Sequence, residues 1–277
     1  MTTEPPLFSA SRLRPSQQAV IADYQGGKMG ISAVPGSGKT HTLSYLAADI
    51  ILSGNLDLSQ EVLIVTMSNS AVENFSQRIG GLVKSEGLLP GLGYRVRTLH
   101  GLAHDIVRER PGLVNLANDF SIIDEGEAAS IRESAALAWL RANPFFFEDY
   151  LDPELSEFQR EKLHSKDIPR MVQSIALNMI RYAKDRELTP DGLRKMLDKL
   201  PAPLPLVDMG CSIYQEYQRS LNYRGAVDFD DLIRLALAAL RADPTLVERL
   251  HQQWPYILED EAQDSSNLQE VILRYLT

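Results

Sequence analysis

Apolar residues fall into two patterns along this chain. In the N-terminal third, the short runs Met29–Ala33, Val62–Thr66 and Arg95–Leu99 are each followed by a segment with apolar positions three or four residues apart. Runs of this length predict strands, and the periodic segments predict helices. A fourth strand-like run, Tyr256–Asp260, comes only near the C-terminus. Strand–helix alternation predicts an α/β fold, a parallel sheet with helices on both faces. From about Arg108 to Leu221 the pattern changes to helices joined by proline-bearing turns, clearest over Ser130–Leu140, Ile168–Arg186 and Met209–Leu221. The organisation expected is an α/β domain formed by residues 1–108 and 222–277, interrupted by an inserted all-helical subdomain over 109–221.

Composition narrows the class without naming a function. At 277 residues, 44% hydrophobic and 23% charged, whole-chain disorder is excluded and one large or two modest cores can be buried. No uncharged apolar run approaches the ~18–20 residues that cross a bilayer, and the start, with Glu4, Pro5 and Pro6, lacks a secretory pattern. The one cysteine, Cys211, rules out an internal disulfide. A cytoplasmic protein with no membrane partner is expected. The net charge of −9 is uneven: Asp119–Glu157 holds 10 acids against 2 bases, whereas Arg160–Lys199 holds 10 bases against 6 acids. The overall charge therefore does not exclude a polyanionic partner, and the acidic run reads as a solvated helical surface.

Ala33-Val34-Pro35-Gly36-Ser37-Gly38-Lys39-Thr40 carries the strongest chemistry. It links a strand-like run to a helical pattern over Lys39–Ile51. Gly36 and Gly38 can take backbone angles other residues avoid, so successive N–H groups can face phosphate oxygens. The helix that follows adds its positive dipole end. Lys39 is the type of residue that reaches β- and γ-phosphates, and the Thr40 hydroxyl the type that ligates Mg²⁺. The carboxylates such a loop requires come with Glu259-Asp260-Glu261-Ala262-Gln263-Asp264 at the end of the fourth strand. Asp260 is expected to hold Mg²⁺, Glu261 to take a proton from an attacking water, and Gln263 to lie near the γ-phosphate.

These residues resemble the first motor lobe of the UvrD/Rep/PcrA-type superfamily 1 DNA helicases. Leu13-Arg14-Pro15-Ser16-Gln17 is similar to the family's N-terminal motif, whose glutamine reads the adenine edge. Val65-Thr66-Met67-Ser68-Asn69-Ser70-Ala71 and Thr98-Leu99-His100-Gly101 resemble two strand-to-helix motifs that touch single-stranded DNA. Val227-Asp228-Phe229-Asp230-Asp231-Leu232 resembles the segment re-entering the lobe, and Asp260-Glu261-Ala262-Gln263-Asp264 the acidic box. The resemblance implies a RecA-like P-loop NTPase sheet with ATP and Mg²⁺ as cofactors. It further implies single-stranded DNA and single/double-strand junctions as partners, 3′-to-5′ movement, and a second lobe carrying the arginine fingers. His41 stands where relatives often carry an arginine near the adenine, and Met67 where many carry a stacking aromatic.

The DNA-facing residues implied are Thr66, Ser68, Asn69, Thr98, His100 and Phe229. Each has a plainer reading: Ser68 and Asn69 as helix caps, with Ser70 and Glu73 forming a capping box, His100 as a packed histidine, Phe229 as core rather than a base platform. The basic stretch from Arg160 reads as a solvated face or a duplex contact through Arg160, Lys162 and Lys166. Two other classes stay open. One is another phosphate-loop enzyme, although the Asn-Lys-x-Asp motif of a GTPase is missing from the sequence. The other is a non-catalytic lobe that binds DNA or a partner. With the chain stopping at Thr277, the second lobe is expected to be missing, leaving a monomeric lobe that binds ATP–Mg weakly and hydrolyses it poorly.

Overall fold

Val62, Leu63, Ile64 and Val65 are all fully buried, which four consecutive strand residues achieve only inside a sheet covered on both faces. The computed structural model, which describes residues 13–277, places them there. In chain order the elements are α1 (Pro15–Asp23), α2 (Lys39–Leu52), β1 (Val62–Thr66), α3 (Asn69–Ser85), β2 (Tyr94–Thr98), α4 (Leu99–Glu109), β3 (Ser121–Ile122) and α5 (Glu125–Ala142). Then come α6 (Glu157–Lys162), α7 (Ile168–Asp185), α8 (Pro190–Leu197), α9 (Pro205–Tyr223), β4 (Ala226–Val227), α10 (Phe229–Ala242), α11 (Pro244–Gln253), β5 (Tyr256–Glu259) and α12 (Asn267–Tyr275). The chain divides into two units, one running to Asp105 and resuming at Leu240, the other Ile106–Ala239.

The first unit is built on a parallel three-stranded sheet of order β2-β1-β5. Its core joins Leu46, Ala47 and Ile50 of α2 and Phe75, Ile79 and Val83 of α3 to Val62 and Ile64. Helix α2 is apolar nearly all round because nearly every residue from Thr42 to Ile51 is buried. A single carboxylate ties the start of all three strands. Glu61, just before β1, accepts from Arg95 Nε of β2 at 2.8 Å and from Trp254 Nε1, ahead of β5, at 3.3 Å. Burial pushes this carboxyl up, but the Arg95 hydrogen bond and charge outweigh it and hold it low.

Two expectations about this unit need correction. Met29–Ala33 is not a strand of the sheet. Ile31 packs on the core, but Met29, Gly30 and Ser32 are exposed, so the segment is anchored by one side chain and pairs with no strand. The strand expected at Arg95–Leu99 runs one residue earlier, because Leu99 already opens α4.

In the second unit α5, α7 and α9 pack around two apolar clusters, one with Ile131, Ile180, Tyr214 and Tyr217, the other with Ala136, Phe147, Val172 and Ile213. It is not all-helical: β3 and β4 pair in parallel, Ser121 beside Ala226 and Ile122 beside Val227. Its far edge falls at 239/240 rather than the expected 221/222. Within it, Lys184 Nζ of α7 lies 2.6 Å from Asp228 Oδ2 and 3.0 Å from Asp231 Oδ2 at the start of α10, a buried ion pair. Among the described residues no helix is long and apolar enough to cross a membrane.

The pair gives the second unit a defined acid sensitivity. Burial pushes the Asp228 carboxyl up, but the Lys184 ammonium overcomes this and holds it below its ordinary 3.8. A carboxylate depressed in the folded state contributes stability above its unfolded pKa and loses it as pH falls through the lower folded value. Asp228→Asn is therefore expected to be the less stable chain at pH 7. Its unfolding curves in urea should converge with those of the unsubstituted chain as pH drops below about 4.

Candidate functional site

The carboxyl ends of the three parallel strands lie side by side. Thr66 of β1 is in register with Thr98 of β2, and the Asp260 N–H, just past β5, donates to Val65 O at 2.9 Å. Open parallel sheets bind ligands at this edge.

The glycine-bearing loop opens here into α2. Gly36 and Gly38 have φ of +75° and +93°, and Gly38 is the residue from which α2 starts. Alternation of left- and right-handed residues turns successive N–H groups into an anion-binding concavity. The loop is braced from behind by Gln17, whose Nε2 donates to Ser37 O at 3.4 Å while its Oε1 accepts from Arg14 N at 2.9 Å. A Cβ on Gly38 would stand 2.8 Å from Gln17 Nε2, so only glycine leaves the loop undisturbed. Val34, Pro35 and Gly36 are exposed, whereas Ala33 and Ser37 are half-buried. His41 packs its ring against Tyr45, centroids 4.8 Å apart, and burial together with Arg78 lowers its pKa.

Two residues of this loop meet two carboxylates from the far end of the chain. Lys39 Nζ lies 2.7 Å from Glu261 Oε2, and Thr40 Oγ1 donates to Asp260 Oδ2 at 3.2 Å. Gln263 Nε2 donates to the same Glu261 oxygen at 2.5 Å. Glu261 has φ of +57°, a left-handed conformation uncommon for a non-glycine residue. This turn sends adjacent carboxylates to different partners. The Lys39 hydrogen bond holds the Glu261 carboxyl below its ordinary range and, reciprocally, raises Lys39.

Asp260 differs from its neighbour. It is 6% exposed, and burial pushes its carboxyl up against the opposing Thr40 hydrogen bond. Its Oδ1 is buried with no hydrogen-bond partner, as is Ser37 Oγ. A buried oxygen without a partner is costly, and a hard divalent cation takes oxygen ligands of this kind. Thr40 and Asp260 therefore fit a Mg²⁺ ion, and the loop fits a polyphosphate.

The proposed DNA-facing residues divide. Met67, Ser68, Asn69 and Ser70 form an exposed turn. Ser68 Oγ accepts from Ala71 N at 3.2 Å and caps α3, so the expected Ser70–Glu73 box is replaced by a cap two residues earlier. Thr98 Oγ1 accepts from Gly101 N at 3.0 Å in the first turn of α4. Thr66, expected to face DNA, is buried in the β1–β2 ladder opposite Thr98 and presents almost no surface; burial lowers the His100 pKa. Phe229, in the second unit, is 38% exposed, which removes it from the core. Of the basic stretch, Arg160 and His164 both engage Glu148, at 3.0 and 3.1 Å, while Lys162 and Lys166 are exposed.

Charge counting missed Lys184, grouping it with a solvated basic run. The signal was its register: Val172, Ala176 and Ile180 form an apolar stripe at intervals of four residues, and Lys184 continues it.

The family model described as the UvrD/REP helicase N-terminal domain matches residues 13–277. ATP-dependent DNA helicase UvrD1 of Mycobacterium leprae (strain TN) is 27% identical over 265 residues, 95% of this chain and 30% of that protein. ATP-dependent DNA helicase PcrA of Leuconostoc citreum is 27% identical over 261 residues, 94% of this chain and 30% of that protein. DNA helicase II of Rickettsia typhi (strain ATCC VR-144 / Wilmington) is 26% identical over 263 residues, covering 94% and 35%. The chain thus spans about a third of the length of these relatives.

Gly38 separates two kinds of strain. The Gln17 amide can swing away from an added Cβ, but a φ of +93° remains unfavourable for any L side chain. Gly38→Ala is expected to cost about 1–3 kcal/mol in urea unfolding, and adding Gln17→Ala should not recover it.

Proposed function

Because the chain belongs to the UvrD/REP helicase family, we propose that it is the ATP-binding lobe of an ATP-dependent DNA helicase that moves 3′ to 5′ on single-stranded DNA in the cytoplasm. The observation that carries this reading is the meeting of Lys39 and Thr40 with Glu261 and Asp260 at the strand ends. Lys39 and the loop N–H groups bind the triphosphate, with Gln17 and His41 on the adenine side. Thr40 and Asp260 would hold Mg²⁺, which when bound would supply positive charge to the phosphate oxygens.

Glu261 accepts the proton of the attacking water. Its carboxyl is low while Lys39 donates to it, so it is ionised at neutral pH but weakly basic. A phosphate that draws Lys39 away returns Glu261 toward an ordinary carboxylate, a better base. Gln263, already hydrogen-bonded to Glu261, senses the γ-phosphate and hands that information on.

Ser68 and Asn69, in the exposed turn opening α3, contact DNA phosphates, as do Thr98 and His100. Contacts of this type hold a strand without reading its sequence, as a translocating motor requires. Phe229 stacks on a base. The family resemblance assigns the arginine fingers to a second lobe, and arginine fingers are worth ~10³–10⁵ in rate. Binding of ATP with slow turnover is therefore expected of these 277 residues, with junction unwinding and DNA repair belonging to the assembled motor.

Lys39→Ala tests this reading. Titrated with a fluorescent ATP analogue and Mg²⁺, it should lose at least about tenfold in affinity, one charge-assisted phosphate contact being worth ~1.5–3 kcal/mol. Unchanged affinity, or vigorous DNA-stimulated ATPase activity from the 277 residues, contradicts it.

A further inference from the structure

One fully buried charge plays no part in the reaction above. Lys184 has no exposed side-chain surface, and its Nζ lies 2.6 Å from Asp228 Oδ2 and 3.0 Å from Asp231 Oδ2. The Tyr217 hydroxyl donates to the same Asp228 oxygen at 2.6 Å, and the ammonium sits 5.0 Å from that ring's centroid. Asp228 is also the cap of α10: its Oδ1 accepts from Asp231 N at 2.8 Å and its carbonyl from Leu232 N at 3.0 Å. Asp231 takes two further donors, Gln218 Nε2 at 3.1 Å and an Arg234 guanidinium nitrogen at 3.2 Å. The ammonium therefore holds both ends of the first turn of α10, and within that turn lies Phe229.

Stability alone does not account for such a cluster. Buried ion pairs are commonly no more stabilising than apolar side chains of the same volume, and apolar burial is non-directional. Charge-assisted hydrogen bonds of 2.6–3.0 Å fix direction. Asp228 and Asp231 flank Phe229 and Asp230, so fixing both carboxylates fixes the backbone that carries the Phe229 ring, a residue 38% exposed.

We propose that Lys184 is a positioning residue for DNA binding: by clamping Asp228 and Asp231 it sets the first turn of α10 and presents the Phe229 ring to a nucleobase. This rests on the reading of Phe229 as a base-stacking residue. It goes further by assigning the orientation of that ring to a side chain 45 residues earlier in the chain, one that touches no DNA itself.

A double-mutant cycle separates the two layers. The 277-residue chain, Lys184→Met, Phe229→Ala and the double variant are titrated against a fluorescent oligothymidylate at fixed salt, with circular dichroism confirming that each is folded. Phe229→Ala is expected to weaken binding roughly tenfold, the scale of one lost base stack. Lys184→Met should weaken it about threefold or more in the unsubstituted background and not at all once Phe229 is alanine. Should Lys184→Met not fold, Asp228→Asn, which keeps the capping oxygen, goes through the same cycle. Equal losses from the Lys184 or Asp228 substitution in both backgrounds would overturn the positioning role and leave simple packing. No loss from Phe229→Ala would instead overturn the stacking contact beneath it.

Discussion

Parallel pairing of β5 with β1 is the constraint on which the site depends. Without it, the loop at Gly36–Thr40 and the carboxylates at Asp260 and Glu261 would remain more than two hundred positions apart, with nothing to bring them together. Parallel neighbours cannot be joined by a tight turn and need a long crossover. Between β2 and β5 that crossover contains a whole second unit with its own core. The Glu61 carboxylate, bonded to Arg95 and to Trp254, secures the opposite ends of the same strands, so register is held where no chemistry is proposed and the carboxyl ends are left to the site.

Adjacent carboxylates in the acidic box have been given opposite surroundings. Asp260 is buried, its pKa raised, with one oxygen lacking a partner; Glu261 is open to solvent, its pKa lowered by Lys39. A buried unpaired oxygen is suited to a cation, and an open ion pair can exchange partners at small cost. The left-handed turn at Glu261 allows both within two residues. That left-handed residue lies just past the end of β5.

Much of this was legible in the sequence, because it is written locally. Val62–Thr66 reads as a buried strand and is one; Lys39–Ile51 reads as a helix and ends one residue later, at Leu52. The glycine loop is short and type-specific, the acidic box gains its meaning only beside that loop, and the chain belongs to the family those motifs resembled. What escaped is set by tertiary contacts. Met29–Ala33 has a strand's composition but no place in the three-stranded sheet, and no local pattern distinguishes an extended segment from a paired one. Ser70 with Glu73 satisfied a capping pattern, yet Ser68 lies two residues nearer the strand and caps first. The pairing of Asp228 and Asp231 with Lys184, distant in sequence, is likewise written in no local pattern.

The claim at the centre is that Thr40 and Asp260, joined by one hydrogen bond, form a magnesium-dependent triphosphate site with Lys39. Calorimetric titration of ATP with and without Mg²⁺, on the unsubstituted chain and on Asp260→Asn, tests this most directly. Affinity that rises with Mg²⁺ in the first and no longer does so in the second, while Mg²⁺-free binding is unchanged, is the predicted result. A Mg²⁺ effect of the same size in Asp260→Asn would contradict it.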